Sequence, residues 1–230
     1  MVPVALLLWW RIKHAYRDEH VGREGLLDAF VAALPDATVD KGPQGLPRLR
    51  GRLDGAALLV SLHADTLALR TLPTLRLEAR WDRPHNAVVD VMLDPSGTEY
   101  FAEGLGLGGR AAPPEGWPDT TIVQVSGIEA VPIVERLSAV DPRAFPALKH
   151  ILVSRDELRL TMNCARADRQ TYRVLRSATF KPDAVGPVIV KQTIDALRTL
   201  EVAASGAPAA GPEESTVTAA PAANPNEKDF

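Results

Sequence analysis

The sequence is poor in the features that most often give a function away. It holds one cysteine, Cys164, in 230 residues. One thiol forms no internal disulfide and builds no cysteine-based zinc site, and its scarcity fits a reducing compartment. Cys164 reads as a small hydrophobe at a strand end, with no His or cation beside it in sequence to make it reactive. An excess of one charge is missing too: 26 Lys and Arg stand against 29 Asp and Glu, a formal net charge of -3. Without clustered cations no counterions are displaced, so no nucleic-acid partner is expected. Aromatic residues make up only 5% of the chain, and none interleaves with the arginine-rich segments, which argues against stacking on single-stranded nucleic acid. No apolar run reaches the ~20 residues that a membrane-crossing helix needs.

Catalytic and cofactor motifs are scarce as well. Gly104-Leu105-Gly106-Leu107-Gly108-Gly109-Arg110 is rich in glycine, and such loops bind phosphate when they lead from a strand into a helix. Here Ala111-Ala112-Pro113-Pro114 follows, which starts no helix, and the spacing fits neither phosphate-binding fingerprint. A surface loop is the plainer reading. His63 and Asp65 would share one side of a strand, but no third ligand at regular spacing completes a metal site. His85 with Asp82 and Asp90 does no better, and His14, His20 and His150 suggest no site. Ser61, Ser126 and Ser154 lack the Gly-x-Ser-x-Gly setting of a nucleophile elbow. The acidic pairs Asp156-Glu157 and Glu213-Glu214 fall in an expected turn and in the tail, where solvated charge is the default. No cofactor, no metal and no enzymatic activity are expected.

What is present is an ordinary globular composition, 46% hydrophobic and 24% charged, enough for a packed core. Residues 1–19 form an apolar and basic leader. Val2 to Trp10 reads VPVALLLWW, and Arg11, Lys13 and Arg17 follow. Nine residues span about 14 Å as a helix, half a bilayer core. Three arrangements fit: the second half of a membrane helix begun upstream, an interfacial anchor, or an element docked on the domain. In the first two, Leu6, Leu7, Leu8, Trp9 and Trp10 contact the membrane, and Arg11 and Lys13 sit on its cytoplasmic side. The last arrangement leaves a cytoplasmic protein.

Residues 20–202 carry the fold. Tyr16 to Leu34 has helical spacing, with Leu26, Leu27, Phe30, Val31 and Leu34 on one face, and Pro35 ends it. Asp36 to Pro47 reads as a loop. Leu49 to Leu53 and Ala57 to His63 form a hairpin around Asp54-Gly55. Leu67 to Thr71 reads as a short strand, and Leu75 to Trp81 alternates cleanly between apolar and charged residues. Val88 to Leu93 and Ile122 to Val125 are further strands. Glu129 to Ala139 is a helix with Val131, Val134 and Leu137 inward, and Asp141 caps a short turn at Pro142. Ile151 to Ser154 and Leu158 to Met162 form a second hairpin. Tyr172 to Phe180 fits strand or helix. Asp183 to Val202 is a helix bearing Val188, Ile189, Ile194, Leu197 and Leu200. Together these give an α+β fold: antiparallel sheets of short strands packed by three to four helices. Helix, strand, turn, strand occurs around residues 24–63 and again around 129–162, so two αββ-like halves fit the pattern. Residues 203–230 are Ala/Pro-rich, lack periodicity and are expected to be disordered.

The arginine pattern is the most unusual surface signal. Arg48, Arg50 and Arg52 share one side of one strand, and Arg76 and Arg80 share one side of another. Were the strands neighbours, five guanidiniums would line one face, suited to an acidic segment, a phosphate or an anionic lipid headgroup. The plainer reading is a solvated face balanced by Glu78 and other acids. The sequence therefore leads to a non-catalytic interaction or scaffold domain. Such a domain would be an accessory subunit with a protein partner, at the cytoplasmic face of a bacterial membrane complex. An anionic-ligand module is the alternative.

Overall fold

A two-residue turn fixes the register of the first hairpin. Asp54 and Gly55 both have positive φ (48° and 80°), the geometry that matches the right-handed twist of the flanking strands. It sets β2 (Pro47–Leu53) against β3 (Ala56–Asp65) with Leu53 opposite Ala56 and Arg50 opposite Leu59. The computed structural model describes residues 23, 25–66, 72–95, 108–175 and 178–206. The leader, the expected strand at 67–71, positions 104–107 of the glycine-rich segment and the tail beyond Gly206 lie outside the described residues.

Among the described residues nine strands form one antiparallel sheet. The others are β1 (Thr38–Lys41), β4 (Thr74–Trp81), β5 (Val88–Met92), β6 (Gly109–Ala111), β7 (Ile122–Ser126), β8 (Leu148–Val153) and β9 (Leu158–Arg166). Their order is β1-β2-β3-β4-β9-β8-β5-β7-β6. The strands of the helix-strand-turn-strand echo seen in the sequence thus belong to one continuous sheet. The β8–β9 hairpin sits at its centre, joining β4 on one side to β5 on the other.

Period-two alternation gives the sheet two unlike faces. One cross-strand row reads Val39, Leu49, Val60, Ala79, Leu160, Ile151, Val91, Val123 and Ala111. Helices cover this side: α1 (Asp28–Ala33), α2 (Ala130–Leu137) and the long α4 (Pro187–Ser205). Phe30, Ile133 and Leu197 are buried against it. A Cβ added at Gly51 would come within 3.3 Å of the Ala37 Cβ, so α1 and the turn after it close tightly over β2. Trp81 and Trp117 bring polar nitrogens into the core and satisfy both: one donates to Leu53 O, the other to Val140 O at 2.9 Å. Arg136 of α2 donates to the carbonyls of Ala203 and Ala204. It thereby fills acceptors that the C-terminus of α4 leaves open.

The structure departs from several expectations. Val131 is 53% exposed and Ile133 takes the inward place, because the buried stripe runs i, i+3, i+4, i+7 from Ala130 through Ile133 and Val134 to Leu137. Val188 is 69% exposed; α4 begins at Pro187 behind Gly186, so Val188 lies in the first turn, beyond the covered stripe. Val31 is exposed at 39%, beside the stripe that buries Phe30 and Leu34. Arg169–Leu175 is a helix, α3. Strands β1 and β6 arise in segments that read as loops. All four residues of β1 are exposed, so it carries no burial alternation, and β6 has only three residues. The Asp141 cap is as expected, its side chain accepting from Arg143 N at 3.0 Å.

Candidate functional site

The second face of the sheet is polar. The row beside the apolar one reads Thr38, Arg50, Leu59, Arg80, Arg159, Leu152, Asp90, Gln124 and Arg110. All five arginines singled out in the sequence point to this face, but not as a contiguous cluster. Strand β3 lies between β2 and β4, which sets the two arginine strands about 10 Å apart. Each arginine is also engaged. Arg48 donates from Nε and Nη2 to both oxygens of Asp40, at 2.9 Å each. Arg50 reaches the same carboxylate through Nε at 3.3 Å, and together they hold the Asp40 carboxyl below the usual range, Arg48 most strongly. Arg52 donates to Gly55 O, and Arg80 donates through Nε to Glu78 at 2.7 Å. Arg76 is paired across the sheet with His63 and Asn163.

Between these arginines β3 presents short side chains, Ala57 and Leu59. The result is a trough of about 500 Å³ lined by Arg50, Leu59, Arg80, Asp82, Asp156 and Glu157, with Ala57 in its floor. Its position follows from parity. Ala57 and Leu59 share the face of Arg50 and Arg80 because the Asp54-Gly55 turn sets the pairing. Asp82 lies two residues beyond Arg80 on the same face, and the β8–β9 turn supplies Asp156 and Glu157. Sequence reasoning found Arg50 and Arg80 and missed the other five. The β2–β3 pairing was readable from the turn; the neighbourhood of β4 and β9 was not.

Charge in the trough is mixed. Two guanidiniums face three carboxylates. Glu157 is committed to Arg159, whose Nε donates to it at 2.7 Å. Among the described residues Arg50 and Arg80 each bond through Nε alone, which leaves both Nη groups of each as donors. A guanidinium offers five N–H donors in a rigid fork.

Farther along the face, on β9, β8, β5 and β7, the polar side chains are buried. His150 Nε2 meets Asp90 Oδ2 at 3.0 Å, with both side chains under 5% exposed. Thr161 and Gln124 are buried beside them, and Arg159 is buried too. Thr161 Oγ1 and Gln124 Oε1 have no hydrogen-bond partner among the described residues.

The remaining candidate groups are placed apart. His63 is half-buried. Burial lowers its pKa, the charges of Arg76 and Arg80 add to this, and Glu78 opposes it. His85 shares a 3.1 Å hydrogen bond with Glu201 of α4, not with Asp82 or Asp90. Among the described residues no group of three His, Cys, Asp or Glu could hold a metal. Cys164 is half-buried, its thiol pushed up to about 12 by burial, which makes it unreactive at neutral pH. Ser154 is a turn residue, accepting from the amides of Asp156 and Glu157. The described end of the glycine-rich segment, Gly109 onward, is strand β6, where an added Cβ would meet Val125 O at 2.8 Å. Leu6, Leu7, Leu8, Trp9, Trp10, Arg11 and Lys13 lie outside the described residues. No helix among the described residues is long and apolar enough to cross a membrane.

No protein-family model matches the chain, and no curated protein matches it. A solved structure that resembles it is the crystal structure of the mycobacterial trehalose monomycolate transport factor A, at 14% sequence identity. That likeness covers 74% of this chain and 78% of the other, with a TM-score of 0.35, a level that carries no argument about function.

Proposed function

We propose that the chain is a non-catalytic interaction domain. It works as an accessory subunit at the cytoplasmic face of a bacterial membrane complex and holds a partner protein on the open face of its sheet. The observation that carries this reading is the trough over Ala57 and Leu59. It is an accessible groove between charged walls, on the face opposite the packed helices α1, α2 and α4. Peptide segments are commonly held in surface grooves, with pockets for alternate side chains giving specificity. Support for the membrane half lies in the sequence alone, in the apolar run Val2 to Trp10 and the cations after it.

An anionic-ligand site on the arginine face is less well supported, because the trough has more carboxylates than guanidiniums and each flanking arginine already contacts an acid. Two measurements test the proposal. Alkaline carbonate washing of native membranes should leave the protein associated with the membrane fraction. A photo-crosslinking amino acid at position 59 should capture one dominant protein in cells, and the Arg50→Glu change should abolish the adduct. A fully soluble protein would remove the membrane half; an adduct pattern unchanged by Arg50→Glu would remove the interaction half.

A further inference from the structure

We infer that the segment seated in the trough is extended and carries one acidic and one basic side chain on the same face, two residues apart; this deepens the interaction reading and rests on it. The argument is one of periods. Along a strand, same-face side chains recur every ~6.6–6.8 Å. Arg80 and Asp82 of the trough wall have that relation, as do Leu59 and Ala57 of its floor. A segment lying along β3 in extended form has the same period. One of its side chains then sits at the level of Leu59, between the Arg50 and Arg80 guanidiniums. Its next same-face side chain sits at the level of Ala57, beside Asp82 and the hairpin acid Asp156, with Arg52 opposite on β2 but donating to Gly55 O and outside the trough lining.

The unused bonding capacity has the same polarity. At the inner level Arg50 and Arg80 retain their Nη donors. At the outer level the carboxylates of Asp82 and Asp156 accept no side-chain hydrogen bond among the described residues, whereas Glu157 is held by Arg159. A carboxylate at the inner level and an ammonium or guanidinium at the outer level would satisfy both. A wholly acidic segment would face Asp82 and Asp156, and a wholly basic one would face Arg50 and Arg80. Like charges brought together at an interface reject wrong partners more effectively than opposite charges hold the right one.

The test uses the purified full chain and three fluorescein-labelled, threonine-rich nine-residue peptides. One carries Glu and Lys at its fourth and sixth positions, one carries Glu at both, and one carries Lys at both. Fluorescence anisotropy at low salt should give the mixed peptide at least about fivefold tighter binding than either like-charged peptide, in line with the modest worth of exposed ion pairs. The Arg50→Glu/Arg80→Glu protein should turn its preference to the two-Lys peptide, and Asp82→Lys/Asp156→Lys should turn it to the two-Glu peptide. Circular dichroism melts check that both variants fold as the parent does. Equal binding of the three peptides, or no saturation of any up to about 1 mM, overturns the inference. Preference of the unaltered protein for the two-Glu peptide also overturns it, in favour of an anion site. The Leu59 crosslink with its Arg50 dependence stays informative in each case, so the interaction reading fails only if that adduct fails.

Discussion

The two faces of the sheet carry rows of equal length, one buried almost throughout and one buried only over part of its length. From Leu49 to Val123 the helix-side row is 2% exposed or less at every position. The polar row changes along its length: Arg50 is exposed, Leu59 and Arg80 are half-buried, and Arg159, Leu152, Asp90 and Gln124 are buried. Apolar burial on the first face is driven by area and needs no partner choice. On the second face each buried group must find a hydrogen bond, because an unmet one costs about 1–3 kcal/mol. One face therefore supplies stability, while the other is constrained mainly by pairing and can change its exposed part at little cost in folding.

Substitutions on the two faces should separate these roles. The largest effect is expected from Leu160→Ala, which empties a site at the centre of the helix-covered face and should cost about 2–5 kcal/mol in urea unfolding. A loss below about 1 kcal/mol would mean that this face does not carry the core. Next comes Asp90→Leu, which leaves His150 without the carboxylate it meets at 3.0 Å; about 1–3 kcal/mol is expected. Adding His150→Leu should recover part of that loss, and no recovery would show that the two do not act as a pair.

A third, smaller effect concerns pH. The pKa of folded His63 is lowered, mainly by burial, from its ordinary 6.5. The unfolded chain therefore binds the proton more readily, and stability falls as pH drops through 6.5 towards the folded value. Replacing His63 with Asn should flatten that part of the stability profile; an unchanged slope would assign it to other groups. Smallest of all is the fork between Arg198 of α4 and Asp54 of the β2–β3 turn, with bonds of 2.8 and 2.7 Å. Both side chains are about half exposed, so Arg198→Ala should cost at most about 1 kcal/mol and the loss should shrink in high salt.

Much of the helix-covered face was readable in the sequence. Leu75, Leu77, Ala79 and Trp81 alternate with charges, and the structure buries all four. The Asp54-Gly55 turn announced its hairpin, and Asp141 its cap. The polar face was harder. Arg48, Arg50 and Arg52 were correctly placed on one side of a strand, yet which strand lies beside them depends on long-range pairing that local pattern does not encode. Arg159 and Thr161 look like wet-face residues and are buried, because their place at the sheet's centre outweighs their chemistry. Ala57 and Asp82 carry no motif at all; only their parity relative to Leu59 and Arg80 brings them to the trough.

The position of the β8–β9 hairpin has a consequence for how the chain assembles during synthesis. Strands β1 to β4 follow one another as a meander and can pair as they emerge. Strand β5 has no seat beside β4; that seat belongs to β9, with Trp81 opposite Leu158. Until residues 148–166 are made, both β4 and β5 present unpaired inner edges, the kind of surface that invites pairing with other chains. The last hairpin acts as a keystone, and a chain halted before it should be an early client for chaperones.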